Sequence, residues 1–95
     1  MRRGVAVLML LAAGATSSLA APSEAQRAEF YDVCMGIAQD AALCGCKAEA
    51  AAALIDERFM GVVIASMKGA SPAAADYRAY NAYVAKSNQI CKPNY

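Results

Sequence analysis

Cys34, Cys44, Cys46 and Cys91 are the residues whose chemistry could matter most. A single glycine separates Cys44 from Cys46. Two thiols that close can form a strained, easily reduced disulfide, which suits thiol–disulfide exchange. A nearby helix N-terminus would favour the thiolate. Four thiolates could also hold Zn²⁺. In a small exported chain, however, an even cysteine count reads as a disulfide framework. Four cysteines allow three pairings. Bonding Cys44 to Cys46 would link nothing distant. That leaves Cys34–Cys46 with Cys44–Cys91, or Cys34–Cys44 with Cys46–Cys91. A hairpin turning near Asp40–Ala42 puts Cys34 about as far before the turn as Cys46 lies after it. That symmetry favours Cys34–Cys46 with Cys44–Cys91.

Beyond the cysteines, little points to catalysis. The chain has no His, which removes Ser-His-Asp triads, Cys-His pairs and His-ligated metals. Asp32, Asp40, Glu49, Asp56, Glu57 and Asp76 form no evident acid/base pair. Gly36, Gly45, Gly61 and Gly69 are isolated, so no phosphate-cradling loop is present. Gly61 falls inside a helical pattern, where glycine costs about 1 kcal/mol relative to Ala; it reads as a close helix contact. A net charge of +1 offers no footprint for nucleic acid. Arg27 with Tyr31, and Lys86 with Ile90, read as solvated helix surface. The expectation is therefore a non-enzymatic protein with no metal and no cofactor. Tyr77, Tyr80 and Tyr83 are the candidate binding surface, since Tyr offers a rigid ring with a polar tip. The alternative is that they fill gaps in a core poor in large side chains.

The first 20 residues read as an export signal. Arg2 and Arg3 precede an apolar run from Val5 to Ala13, and Ser18-Leu19-Ala20 fits cleavage after Ala20. The run is roughly half of the ~20 residues a membrane-spanning helix needs. No Cys lies at the cleavage point to carry a lipid. The expected organisation is a signal peptide over 1–20 and one helical domain over 21–95. The expected location is periplasmic or secreted.

Removing the signal changes the core arithmetic. The 21–95 segment holds 19 Ala but 15 Val, Ile, Leu, Met and Phe combined. Ala buries little area, so a domain of this size and composition is marginal without covalent staples.

The elements that must position the cysteines are helices. Ser23 with Gln26 is a capping-box pattern, opening a helix over about 23–39. Phe30, Val33, Cys34 and Ile37 repeat at helical spacing. Leu43 to Ile55 is Ala-rich and helix-prone, with Cys46, Ala50, Ala53 and Leu54 on one face. Asp56 suits the N-cap of a third helix, from Glu57 to Lys68, carrying Phe59, Val62, Val63 and Met67. Gly69 stops it, and the second and third helices could instead run on as one bent helix. Ser71-Pro72 reads as a fourth start. From it, Ala73, Tyr77, Tyr80, Val84, Ser87 and Cys91 fall on one face, and Pro93 closes. Nothing alternates with period two. The expected fold is all-α, a small three- or four-helix bundle stapled by two disulfides.

Two resemblances bear on function. The nine residues between Cys34 and Cys44 resemble one limb of mitochondrial twin Cys-x9-Cys hairpin proteins, whose import oxidoreductase carries a Cys-Pro-Cys motif. That resemblance implies thiol–disulfide exchange at Cys44-Gly45-Cys46. Cys34-Met35-Gly36, Val62-Val63, Pro72 and Cys91 together resemble the Tai-like immunity proteins of type VI secretion. That resemblance implies an inhibitor of a periplasmic effector. In Tai-like proteins an aromatic residue follows the Gly, where Ile37 stands here, and the Phe-Cys-x-Pro element has no counterpart. The reading that needs least is an exported binding or structural module with two structural disulfides. Its expected partner is another periplasmic protein, with no nucleic acid and no stable membrane span after cleavage.

Overall fold

A computed structural model describes residues 20–92. Residues 1–19, which hold nearly all of the expected export signal over 1–20, and residues 93–95, with the expected helix stop at Pro93, lie outside the described residues. Four α-helices follow one another: α1 (Glu24–Ala38), α2 (Ala41–Leu54), α3 (Glu57–Met67) and α4 (Tyr77–Ile90). A 3₁₀ turn, Ala74–Asp76, leads into α4. The described residues contain no strand. The all-α bundle with two disulfides is thus the observed fold.

Local chemistry explains where the helices begin and end. Ser23 and Gln26 form the full capping box: Gln26 N–H donates to Ser23 Oγ at 3.1 Å, and Ser23 N–H donates to Gln26 Oε1 at 3.0 Å. Asp40 caps α2 by accepting from Leu43 N–H at 3.0 Å, so α2 begins two residues earlier than its apolar pattern suggested. Asp56 caps α3 through Phe59 N–H at 2.8 Å. Ile55 is extended (φ −133°, ψ 162°), so α2 and α3 are separate helices. At the end of α3, Gly69 N–H donates to Ser66 O and Ala70 N–H to Ala65 O. This is a Schellman ending, and Gly69 supplies its positive φ of 109°.

The start of α4 corrects the sequence reading. Ser71-Pro72 opens no helix; Ala73 is extended and α4 proper starts at Tyr77. Asp76 accepts from Arg58 at 3.0 Å instead of capping α4. The residues from Gly69 to Ala73 serve as the crossing from the end of α3.

The core draws on all four helices. Phe30 and Cys34 of α1 meet Cys44, Ala48 and Ala51 of α2, then Phe59, Met60, Val63 and Ile64 of α3 and Tyr83 of α4. Leu43, Ala50 and Cys91 form a smaller cluster between α2 and the chain end. The buried residues of α2 are therefore Leu43, Cys44, Ala48, Ala50 and Ala51; of the expected face Ala50 is buried, whereas Ala53 and Leu54 are exposed. Ile37 is also off the core, at 63% exposure. Gly61 marks no close contact: an added Cβ there would meet nothing within 4 Å.

The helix pairs α1–α2, α1–α3 and α2–α4 pack closely. Contacts of α4 with α1 and α3 are sparse. Ion pairs link elements at the surface, among them Arg27 with Glu49 and Lys68 with Glu29. Arg27 is thus paired rather than merely solvated, although exposed pairs contribute about 0–1 kcal/mol.

Candidate functional site: a disulfide-braced apolar cleft

The disulfides join Cys34 to Cys44 and Cys46 to Cys91, with Cα–Cα distances of 5.6 and 5.8 Å. This corrects the favoured pairing of Cys34 with Cys46 and Cys44 with Cys91. The hairpin argument compared only distance from the turn. Along a helix, Cys44 and Cys46 differ in height by about 3 Å, which is too little to choose between them. Around the helix they differ by about 200°, so they point to nearly opposite sides. Cys44 faces α1 and is fully buried; Cys46 faces the end of α4. The triplet is divided between two partners, and no described cysteine is free. The Cys44–Cys46 bond that an exchange mechanism would need is absent from this arrangement.

The tyrosines are also divided. Tyr83 is 8% exposed and belongs to the core, whereas Tyr77 is 44% exposed. Tyr80 lies between them, packed against the core edge. Steps of three and six residues around a 3.6-residue turn carry the three rings progressively off one face. They do not make one surface. Burial pushes the Tyr83 phenol up to about 12, with a smaller opposing effect of the Ser87 hydroxyl alongside and a further upward push from Tyr80.

What the structure does assemble is a cleft where α4 stands off from α1 and α3. Its volume is about 260 Å³. The walls include Phe30, Val63, Met67, Tyr80 and Val84. Exposed Ile37 lies on its lining too. Lys47 of α2 is the one charged residue lining it. The Lys47 ammonium donates to Asn88 Oδ1, and partial burial lowers its pKa from the usual 10.5. Ser87 also lines the cleft; it is 2% exposed. Ser87 Oγ lies beside the Tyr83 phenol hydroxyl, whose pKa it holds slightly down against the larger effect of burial. A second, more open cleft of about 430 Å³ is lined by Ile55, Phe59, Ala79 and Lys86, among others.

Sequence reasoning placed Ser87 on the buried face of α4 but did not single out Lys47. The signal was present. Lys47 stands one turn beyond Leu43 and Cys44, so its aliphatic stem shares their face while its head reaches the edge. Among the described residues, no group of three or more His, Cys, Asp or Glu is placed to hold a metal ion. No described helix is long and apolar enough to cross a membrane. Comparison with protein-family models, with curated proteins and with solved structures finds no match to this chain.

Proposed function

We propose that this chain is a small exported, non-enzymatic binding module whose two disulfides are structural. The observation that carries the reading is the division of Cys44-Gly45-Cys46 between two distant partners. One bond pins α1 to α2; the other pins α2 to the end of α4. Paired in this way, all four cysteines act as braces for an Ala-rich core. The charged start, apolar run and Ser18-Leu19-Ala20 ending support export to an oxidising compartment. The cleft between the braced helices supports binding rather than a purely architectural role.

The test is disulfide mapping on protein recovered from the periplasm of an expressing bacterium. Trypsin leaves Cys34, Cys44 and Cys46 together on the peptide over 28–47. Pairing must therefore be resolved by partial reduction with stepwise alkylation. The expected result is Cys34–Cys44 and Cys46–Cys91, no alkylation before reduction, and an N-terminus at Ala21. A Cys44–Cys46 loop, or thiols that alkylate without reductant, would overturn the structural role. Retention of the unprocessed chain in the cytoplasm would overturn export.

A further inference from the structure

Three features of the cleft beside α4 together describe a ligand. Its walls are apolar, with Phe30 from α1, Val63 and Met67 from α3, and Val84 from α4. It carries one positive charge, Lys47, whose ammonium meets the neutral Asn88 amide; none of the ion pairs among the described residues involves it. No Asp or Glu lines the cleft. The third feature is that the rest of the lining is uncharged: its polar side chains are Tyr80, Tyr83 and Ser87, and the buried Ser87 hydroxyl lies beside the Tyr83 phenol.

We infer that the cleft is a binding site for a free medium-chain aliphatic carboxylate, its chain along the apolar walls and its carboxylate on Lys47. This rests on the binding-module reading above. One ammonium matches one monoanion. A phosphate group would call for more donors, such as an Arg fork, and the lining holds no Arg. The volume of about 260 Å³ lies below the roughly 300–1,000 Å³ of drug-sized sites, which suits a chain of roughly eight carbons rather than sixteen. Burial of each methylene at about 0.8 kcal/mol corresponds to roughly a fourfold gain in affinity.

Calorimetric titration of the oxidised protein with hexanoate, octanoate and 1-octanol, all below their aggregation limits, tests the inference. Octanoate is expected to bind saturably with one site per chain, roughly fifteenfold tighter than hexanoate. Octanol, with the same chain and no charge, is expected to bind at least fivefold more weakly than octanoate. Lys47→Met should erase the octanoate–octanol difference, and Lys47→Arg should keep it. Absence of saturable octanoate binding overturns the inference, as does equal binding of octanol and octanoate. An octanoate affinity unchanged in Lys47→Met also overturns it. The comparison of octanoate with octanol needs no variant, so a misfolded mutant cannot obscure the outcome. Mass analysis of the recovered ligand separates the two readings. Octanoate bound and recovered intact supports both. Octanoate bound and chemically altered supports the site and overturns the non-enzymatic reading. No binding by a chain that is exported and correctly paired overturns the ligand alone.

Discussion

Gly36 and Gly61 sit at exposed helical positions where an added Cβ meets open space. Each therefore costs helix stability without a packing return. Gly36→Ala and Gly61→Ala should each raise stability by about 0.5–1 kcal/mol, read from denaturant midpoints at unchanged m. Gly69 is the opposite case. Its φ of 109° closes the Schellman ending of α3, so Gly69→Ala should destabilise by at least about 1 kcal/mol. Gln39, at φ 53°, ends α1 in the left-handed region without being glycine. Tyr83 sets a pH dependence. Its folded pKa of about 12 exceeds the ordinary 10.0, so folding favours the neutral phenol. That contribution is fully present below pH 10 and is lost as pH rises through about 12. Two pKa units correspond to about 3 kcal/mol at most. Brief chemical denaturation at pH 9 and pH 12 should show this alkaline loss in the parent chain. Tyr83→Phe should show a smaller loss.

The helices are bounded mainly by side chains that hydrogen-bond their first turns. Ser23, Asp40 and Asp56 each accept from a backbone N–H three residues on. Asp40→Ala and Asp56→Ala should each cost about 1 kcal/mol, with loss of far-UV ellipticity no larger than one helix end. Asp40 thereby fixes where α2 starts, while the packing of the helices sets which side of α2 meets α1. The segment before α1 is also tied down: Pro22 is buried, and Ala20 O accepts from Glu57 N–H at 2.8 Å. Cleavage after Ala20 would remove that acceptor and return the first N–H of α3 to water. Among the elements, capping signals were readable directly because each is a local bond between residues three apart. Ser71-Pro72 was misleading because the same residue types also suit an extended crossing, and the path from α3 to α4 decided between them.

At the scale of the molecule, two cross-links close loops of very different length. Cys34–Cys44 spans 10 residues and Cys46–Cys91 spans 45. In a chain-entropy model these are worth about 3 and about 4 kcal/mol. Together they rival the whole net stability of an ordinary domain, about 5–15 kcal/mol. Replacing Cys46 and Cys91 together by Ser should therefore lower the melting temperature more than replacing Cys34 and Cys44 together. Full reduction should leave the bundle largely unfolded at 37 °C, as circular dichroism with and without reductant would show. The cleft depends on the same braces. The second disulfide holds the end of α4 to α2, while α4 reaches the α1 and α3 core mainly through the Tyr80, Tyr83 and Val84 side chains. Loss of Cys46–Cys91 should thus abolish the cleft before it abolishes α1 and α2.

The sequence by itself determined what depends on neighbours along the chain. That covers the all-α class, the caps at Ser23 and Asp56, the stop at Gly69 and the use of four cysteines as two bridges. These follow from helical spacing, hydrogen bonds three residues apart and composition. Only the tertiary structure decided matters of azimuth. Which of Cys44 and Cys46 meets Cys34 turns on a rotation of about 200° around α2. The same kind of rotation buries Tyr83, leaves Tyr77 in solvent, turns Ile37 and Leu54 outward, and brings Lys47 of α2 beside Ser87 of α4. Helical periodicity names a face but not the neighbour it meets, because that neighbour is chosen by the packing of all four helices at once.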